Sequence, residues 1–164
     1  MALILHLKPV DFIKVSMPVE MWILFRLMAS FCGVFGFSIM FNSPARLATM
    51  AALIGAVANT LRLELVDLAG MPPAVAAFIG ALTAGIFASL IKNKAGYPRI
   101  SLTVPSIVIM VPGLYLYRGI YNLGMMSLSV AASWFAAAIL IIAALPLGLI
   151  FARILTDKTF RYCT

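Results

Sequence analysis

The chain alternates long apolar runs with short polar punctuation. The runs cover 21–41, 44–66, 72–91, 100–120 and 127–152, each near the ~20 residues that carry a helix across a bilayer core. The punctuation is well formed. In "FNSPAR" Ser43 is placed to cap a helix and Pro44 to occupy its first turn. "RLELVD" closes the second run with charge, "GMPP" opens the third, "KNKAGYPR" (92–99) is a basic loop, and "YNLGMMS" turns the chain into the last run. The pattern predicts an all-α fold, a polytopic membrane helical bundle of about five transmembrane helices.

Outside this transmembrane domain, 21–152, lie two flanks. Residues 1–20 are apolar but interrupted by His6, Lys8, Asp11, Lys14 and Glu20, which predicts an interfacial segment lying on the bilayer. Residues 153–164 form a basic tail. Within the third run, "GALTAG" (80–85) repeats small residues four apart, a spacing that lets helix backbones approach closely in lipid. Pro146 and Gly148 are expected to bend the last helix.

The fourth run is unusual, because "TVPSIVIMVPGLYLYRG" (103–119) places two prolines and a glycine in mid-membrane. Proline has no amide proton and crowds the carbonyl four residues back. Pro105 is therefore expected to free the Ser101 carbonyl, and Pro112 that of Val108. Gly113 is expected to use backbone angles closed to other residues. Unsatisfied backbone is intolerable against lipid, so the break predicts a segment buried in protein or lining a cavity. Discontinuous helices are the usual means by which transporters offer carbonyls and helix ends to a polar solute. The predicted substrate contacts are Ser101, Pro105, Ser106, Val108, Pro112 and Gly113. Tyr117 and Arg118 are expected to guard the outer end, with Asn59 facing them from the second span.

Composition narrows the chemistry. With 64% hydrophobic and 10% charged residues, the chain is no ordinary soluble domain. Its net charge of +7 is scattered at the ends of the runs, which points to lipid headgroups and topology and not to nucleic acid. Two cysteines, Cys32 and Cys163, have no metal-like spacing. No acid/base or metal cluster and no phosphate-binding Gly-rich loop is present, so no catalytic residue, cofactor or metal is expected. Arg26 is expected to snorkel to the interface. Glu64 is read as the partner of Arg62 in a boundary ion pair, or else as a proton carrier. The distribution of Lys and Arg predicts the N-terminus outside and the C-terminus cytoplasmic for five spans; a re-entrant 100–120 would leave four and move the N-terminus inside.

The stretch "GFSIMFNSPARLATMAALIGAVANTLR" (36–62), the small-residue third run and "VPSIVIMVPGLYLYRGIY" together resemble the threonine/serine exporter family over about residues 22–150. Pro105, Pro112, Gly113 and Tyr117 match its proline signature, and Asn42 and Pro44 match the turn after the first span. The resemblance is closest to the small subunit of split, two-component exporters, which corresponds to the C-terminal half of the fused ones. It implies a bacterial inner-membrane location and a larger membrane subunit as partner. Its implied solutes are threonine and serine, or succinate in split enterobacterial members, with export drawing on the proton gradient. Assembly as a homo-oligomer stays open, as does a scaffold role in which the chain stabilises or orients a transporting partner without binding solute.

Overall fold

The computed structural model describes residues 18–157, without the side chains of 93–95. Most of the expected interfacial segment (1–17, with His6) and the end of the tail (158–164, with Cys163) lie outside the described residues. Six helices follow in order: α1 Val19–Met40, α2 Ala45–Asp67, α3 Pro73–Ala95, α4 Arg99–Val108, α5 Gly113–Gly124 and α6 Leu128–Thr156. The fold is an all-α polytopic bundle. α1, α2, α3 and α6 are each long and apolar enough to cross a membrane, and α4 with α5 forms one further candidate span, bent by 42° at its break.

Prolines open most of these helices. Pro18, Pro44, Pro72 and Pro98 each stand just before a first turn, where a missing amide proton costs nothing. Asn42 and Gly96 take positive φ, 56° and 71°, in the turns leaving α1 and α3. Gly96 ends its helix with an amide bond back to the Lys92 carbonyl, a left-handed cap that glycine adopts without strain.

The bent pair crosses the bundle and does not double back. At one end, Arg99 reaches Thr156 at the close of α6, 3.5 Å away. At the other, Tyr115 packs edge-on against Trp134 near the start of α6, with ring centroids 5.6 Å apart. Trp134 and Thr156 are separated by about 33 Å of helix, so α4 and α5 together run along most of α6. A deflection of 42° redirects a span without reversing it.

Small residues make these contacts close. α3 meets α6 where Gly148 lies against the Phe78 carbonyl and Gly85 against Ala152. α2 meets α4 at Gly55, where an added Cβ would stand 3.0 Å from the Ser106 carbonyl oxygen and 2.7 Å from Val34. Ala77, Ala81, Ala84 and Ala88 fill the interior of α3. With lipid as apolar as any core, such close backbone approach supplies the packing that the hydrophobic effect does not. Many large apolar side chains of α1 and α6, among them Phe25, Met28, Leu140 and Phe151, point outward, while Val34, Ile141 and Leu145 are buried.

Charge separates by end. Lys92, Arg99 and Arg153 surround Asp157, at 2.9, 3.9 and 3.8 Å. At the opposite end Arg26 joins Glu64 at 2.9 Å and also pairs with Asp67. Arg26 does more than snorkel: it ties α1 to α2 and stacks over Trp22 at 5.0 Å. The expected Arg62–Glu64 pair does not form, because Arg26 takes the carboxylate and Arg62 turns inward.

Candidate functional site

The candidate site is the break between α4 and α5 and the face of α2 that holds it. α4 is strongly two-sided: Leu102, Thr103, Pro105 and Ser106 are buried while Ile100 and Val104 are exposed. Pro105 sits inside α4, and the helix continues past it to Val108. It therefore gives the Ser101 carbonyl no amide proton, yet does not itself end the helix. The helix ends through tightened turns, with the Met110 amide bonded to the Ile107 carbonyl at 2.9 Å and the Val111 amide to the Val108 carbonyl at 3.2 Å.

Two backbone expectations change as a result. The Val108 carbonyl is occupied by the Val111 amide and is not free. Gly113 has no positive φ; it begins α5, and a Cβ there would meet nothing within 4 Å. The carbonyl that the break presents to a side chain is Met110's, two residues later than proline chemistry suggests. It accepts from Arg62 Nη1 at 3.2 Å.

Arg62 is the residue that sequence reasoning missed. It is 8% exposed, and its polar contacts are all neutral. Besides Met110 it has only a long contact with Asn59 Oδ1 at 3.5 Å, and its Nε is buried with no acceptor. Tyr115 lies within electrostatic reach. Helical spacing carried the signal: Arg62 is three residues after Asn59 and shares its face, whereas Glu64, about 200° around the helix, points elsewhere.

The other predicted residues divide among several places. Asn59 faces α1, not Tyr117 or Arg118, and donates to Ser30 Oγ at 2.8 Å. Ser106 is fully buried, its hydroxyl within 2.6 Å of the Leu102 carbonyl and 2.9 Å of the Ala51 carbonyl on α2. Pro112 is buried at the start of α5. Tyr117 is exposed, its ring tilted against that of Tyr121 with centroids 6.5 Å apart, and Arg118 lies over the Trp134 ring at 4.9 Å. Ser101 and Pro105 border a cleft of about 370 Å³ against the Asn42–Ser43–Pro44 turn. On its other side α4 borders a cleft of about 570 Å³ that includes Lys92, Arg99, Thr103, Arg153 and Asp157. The break thus joins Arg62, Asn59 and Met110, while Ser101 and Pro105 line a separate cleft toward the basic end.

The family model described as Threonine/Serine exporter, ThrE, matches residues 26–155. No curated protein and no solved structure matches the chain. The matched residues include Arg26, Arg62 and the whole of α2 through α5.

Proposed function

The chain belongs to the threonine/serine exporter family, and from that premise we propose that it is the small membrane subunit of a secondary exporter for small polar metabolites. Threonine and serine, or a dicarboxylate such as succinate, are the solutes of this reading. A larger membrane subunit corresponding to the exporter's N-terminal half completes the machine, and the proton gradient drives it. The chain sits in the bacterial inner membrane with its N-terminus outside; the basic cluster around Asp157 supports a cytoplasmic C-terminal end.

The observation that carries this reading is the break itself: a candidate span interrupted at 109–112, with a backbone carbonyl held by a buried cation from α2. A plain packing kink needs no such partner. Irregular backbone at depth persists where it is enclosed by protein or serves a solute pathway. The test is efflux of labelled threonine, serine and succinate from cells expressing this chain with and without its partner. Efflux of at least one solute with the pair is expected, and loss of all three signals with both chains in the membrane would end the reading.

A scaffold role is the competing reading, and Ser106 favours it, since its hydroxyl already bridges α4 to α2. Unchanged export in Ser106→Ala, Tyr117→Phe and Arg118→Gln, with assembly sensitive only to the small-residue faces, would decide for the scaffold.

A further inference from the structure

We propose that Arg62 is the anchor for the carboxylate of the transported solute, with the Met110 carbonyl occupying that position until a solute arrives. The proposal takes its setting from the exporter reading, and its support from the geometry around one side chain.

Arg62 is a guanidinium removed from water with no carboxylate in ion-pair distance among the described residues. A buried charge is ordinarily paired, because lost hydration is otherwise unreturned. Within a membrane span such a charge is a functional group by default. Every acidic residue of the second span's end is already taken: Glu64 and Asp67 both hold Arg26. What Arg62 has instead is one carbonyl at 3.2 Å and one amide oxygen at 3.5 Å, both on Nη1.

The remaining edge of the fork is the informative part. Nε is buried without an acceptor, and Nη2 forms no hydrogen bond among the described residues. Nε and Nη2 are the pair that presents two parallel N–H groups, the arrangement that a carboxylate fills with its two oxygens. The stem of Arg62 reaches the break because residue 80 is glycine: a Cβ there would lie 3.1 Å from Arg62 Cβ and 3.3 Å from Met110 Sδ. A carboxylate arriving at this edge supplies the missing charge and releases the Met110 carbonyl. Because that carbonyl belongs to the joint between α4 and α5, occupancy of Arg62 changes how tightly α2 holds the joint. Differential contact of this kind is what a solute must have to shift a transporter between conformations.

The experiment is thermal unfolding of the purified full chain in detergent, alone and with its partner, with threonine and succinate as probes and threoninamide and succinamide as counterparts in which each carboxylate is replaced by a neutral amide. The carboxylates are expected to raise the melting temperature and the amides to leave it unchanged. Arg62→Gln is expected to weaken carboxylate binding roughly 10- to 100-fold, and Arg62→Lys, which keeps the charge but not the fork, to recover part of it. Since Arg62→Gln removes an unpaired buried charge, its melting temperature without solute should equal or exceed that of the wild type, which separates lost binding from lost folding. Equal responses to acids and amides, an undiminished response in Arg62→Gln, or no response to either acid in any preparation overturns the anchor. Undiminished efflux in Arg62→Gln overturns it too while leaving the exporter reading intact; Arg62-dependent binding without efflux does the reverse.

Discussion

Arg26 donates to Glu64 across the α1–α2 contact at 2.9 Å, and this pairing leaves Arg62, two residues before Glu64, with no acidic neighbour. Both partners are mostly buried, at 16% and 17% side-chain exposure, so the pair is worth more than an exposed one. Arg26→Gln is expected to cost roughly 1.5–3 kcal/mol, the range for hydrogen bonds to charged groups. In a double-mutant cycle with Glu64→Gln, thermal unfolding should report coupling of about 1 kcal/mol. Additive effects of the two substitutions would mean that Arg26 holds α2 through Asp67 and not through Glu64.

The helical architecture was legible because membrane helices advertise themselves by length, hydropathy and proline punctuation, and "GALTAG" identified a close-packed face. The site was less legible, for two physical reasons. Arg62 stands in "RLELVD", where neighbouring acids suggest a local pair; only the arrival of Arg26 from another helix shows those acids to be engaged elsewhere. Proline chemistry located the break but not its free carbonyl, because tightened turns after Val108 use the Val108 carbonyl and leave Met110's to be met by Arg62. Ser106 looked available for solute, yet its partner on α2 is 55 residues away in sequence.

Two glycines that look alike in sequence should behave oppositely. At Gly55 an added methyl would press on Val34 and on the Ser106 backbone, which has little freedom to retreat. Gly55→Ala is therefore expected to destabilise the α2–α4 contact by about 1–3 kcal/mol. Gly113 has open space around it and no positive φ, so Gly113→Ala should stay within about 0.5 kcal/mol of wild type. Melting temperatures of the two variants decide this; comparable losses at both positions would show that Gly113 is needed for a backbone shape other than the one described.

The basic end should be insensitive to pH until strongly acidic conditions. The hydrogen bond from Lys92, with the nearby Arg99 and Arg153 charges, holds the Asp157 carboxyl below the usual carboxylate range. A depressed folded-state pKa contributes stability that is complete above the unfolded value, about 4, and is lost as pH falls through the folded value. Wild type and Asp157→Asn should thus differ by a constant amount between about pH 5 and 8, with wild type more stable, and converge at lower pH. A difference that vanishes near neutrality would place the titrating group elsewhere in the cluster.

Arg118 supplies the sharpest contrast with Arg62, since each is a cation beside the broken span. Its guanidinium lies over Trp134 of α6 at 4.9 Å, and the same ring meets Tyr115 edge-on. Arg118 is only partly buried, so it is compensated by the aromatic face and by water, and a carboxylate there gains little over its own hydration. Arg118→Gln is expected to loosen α5 against α6 by about 0.5–2 kcal/mol. It should also change Trp134 emission, measured with Trp22→Phe so that a single tryptophan reports. Its effect on carboxylate binding should stay within about threefold, below the loss of a charged hydrogen bond. If instead Arg118→Gln abolishes carboxylate binding and Arg62→Gln spares it, the solute is held at the outer end of α5, and the Arg62–Met110 contact is only the pin that keeps a bent helix in place.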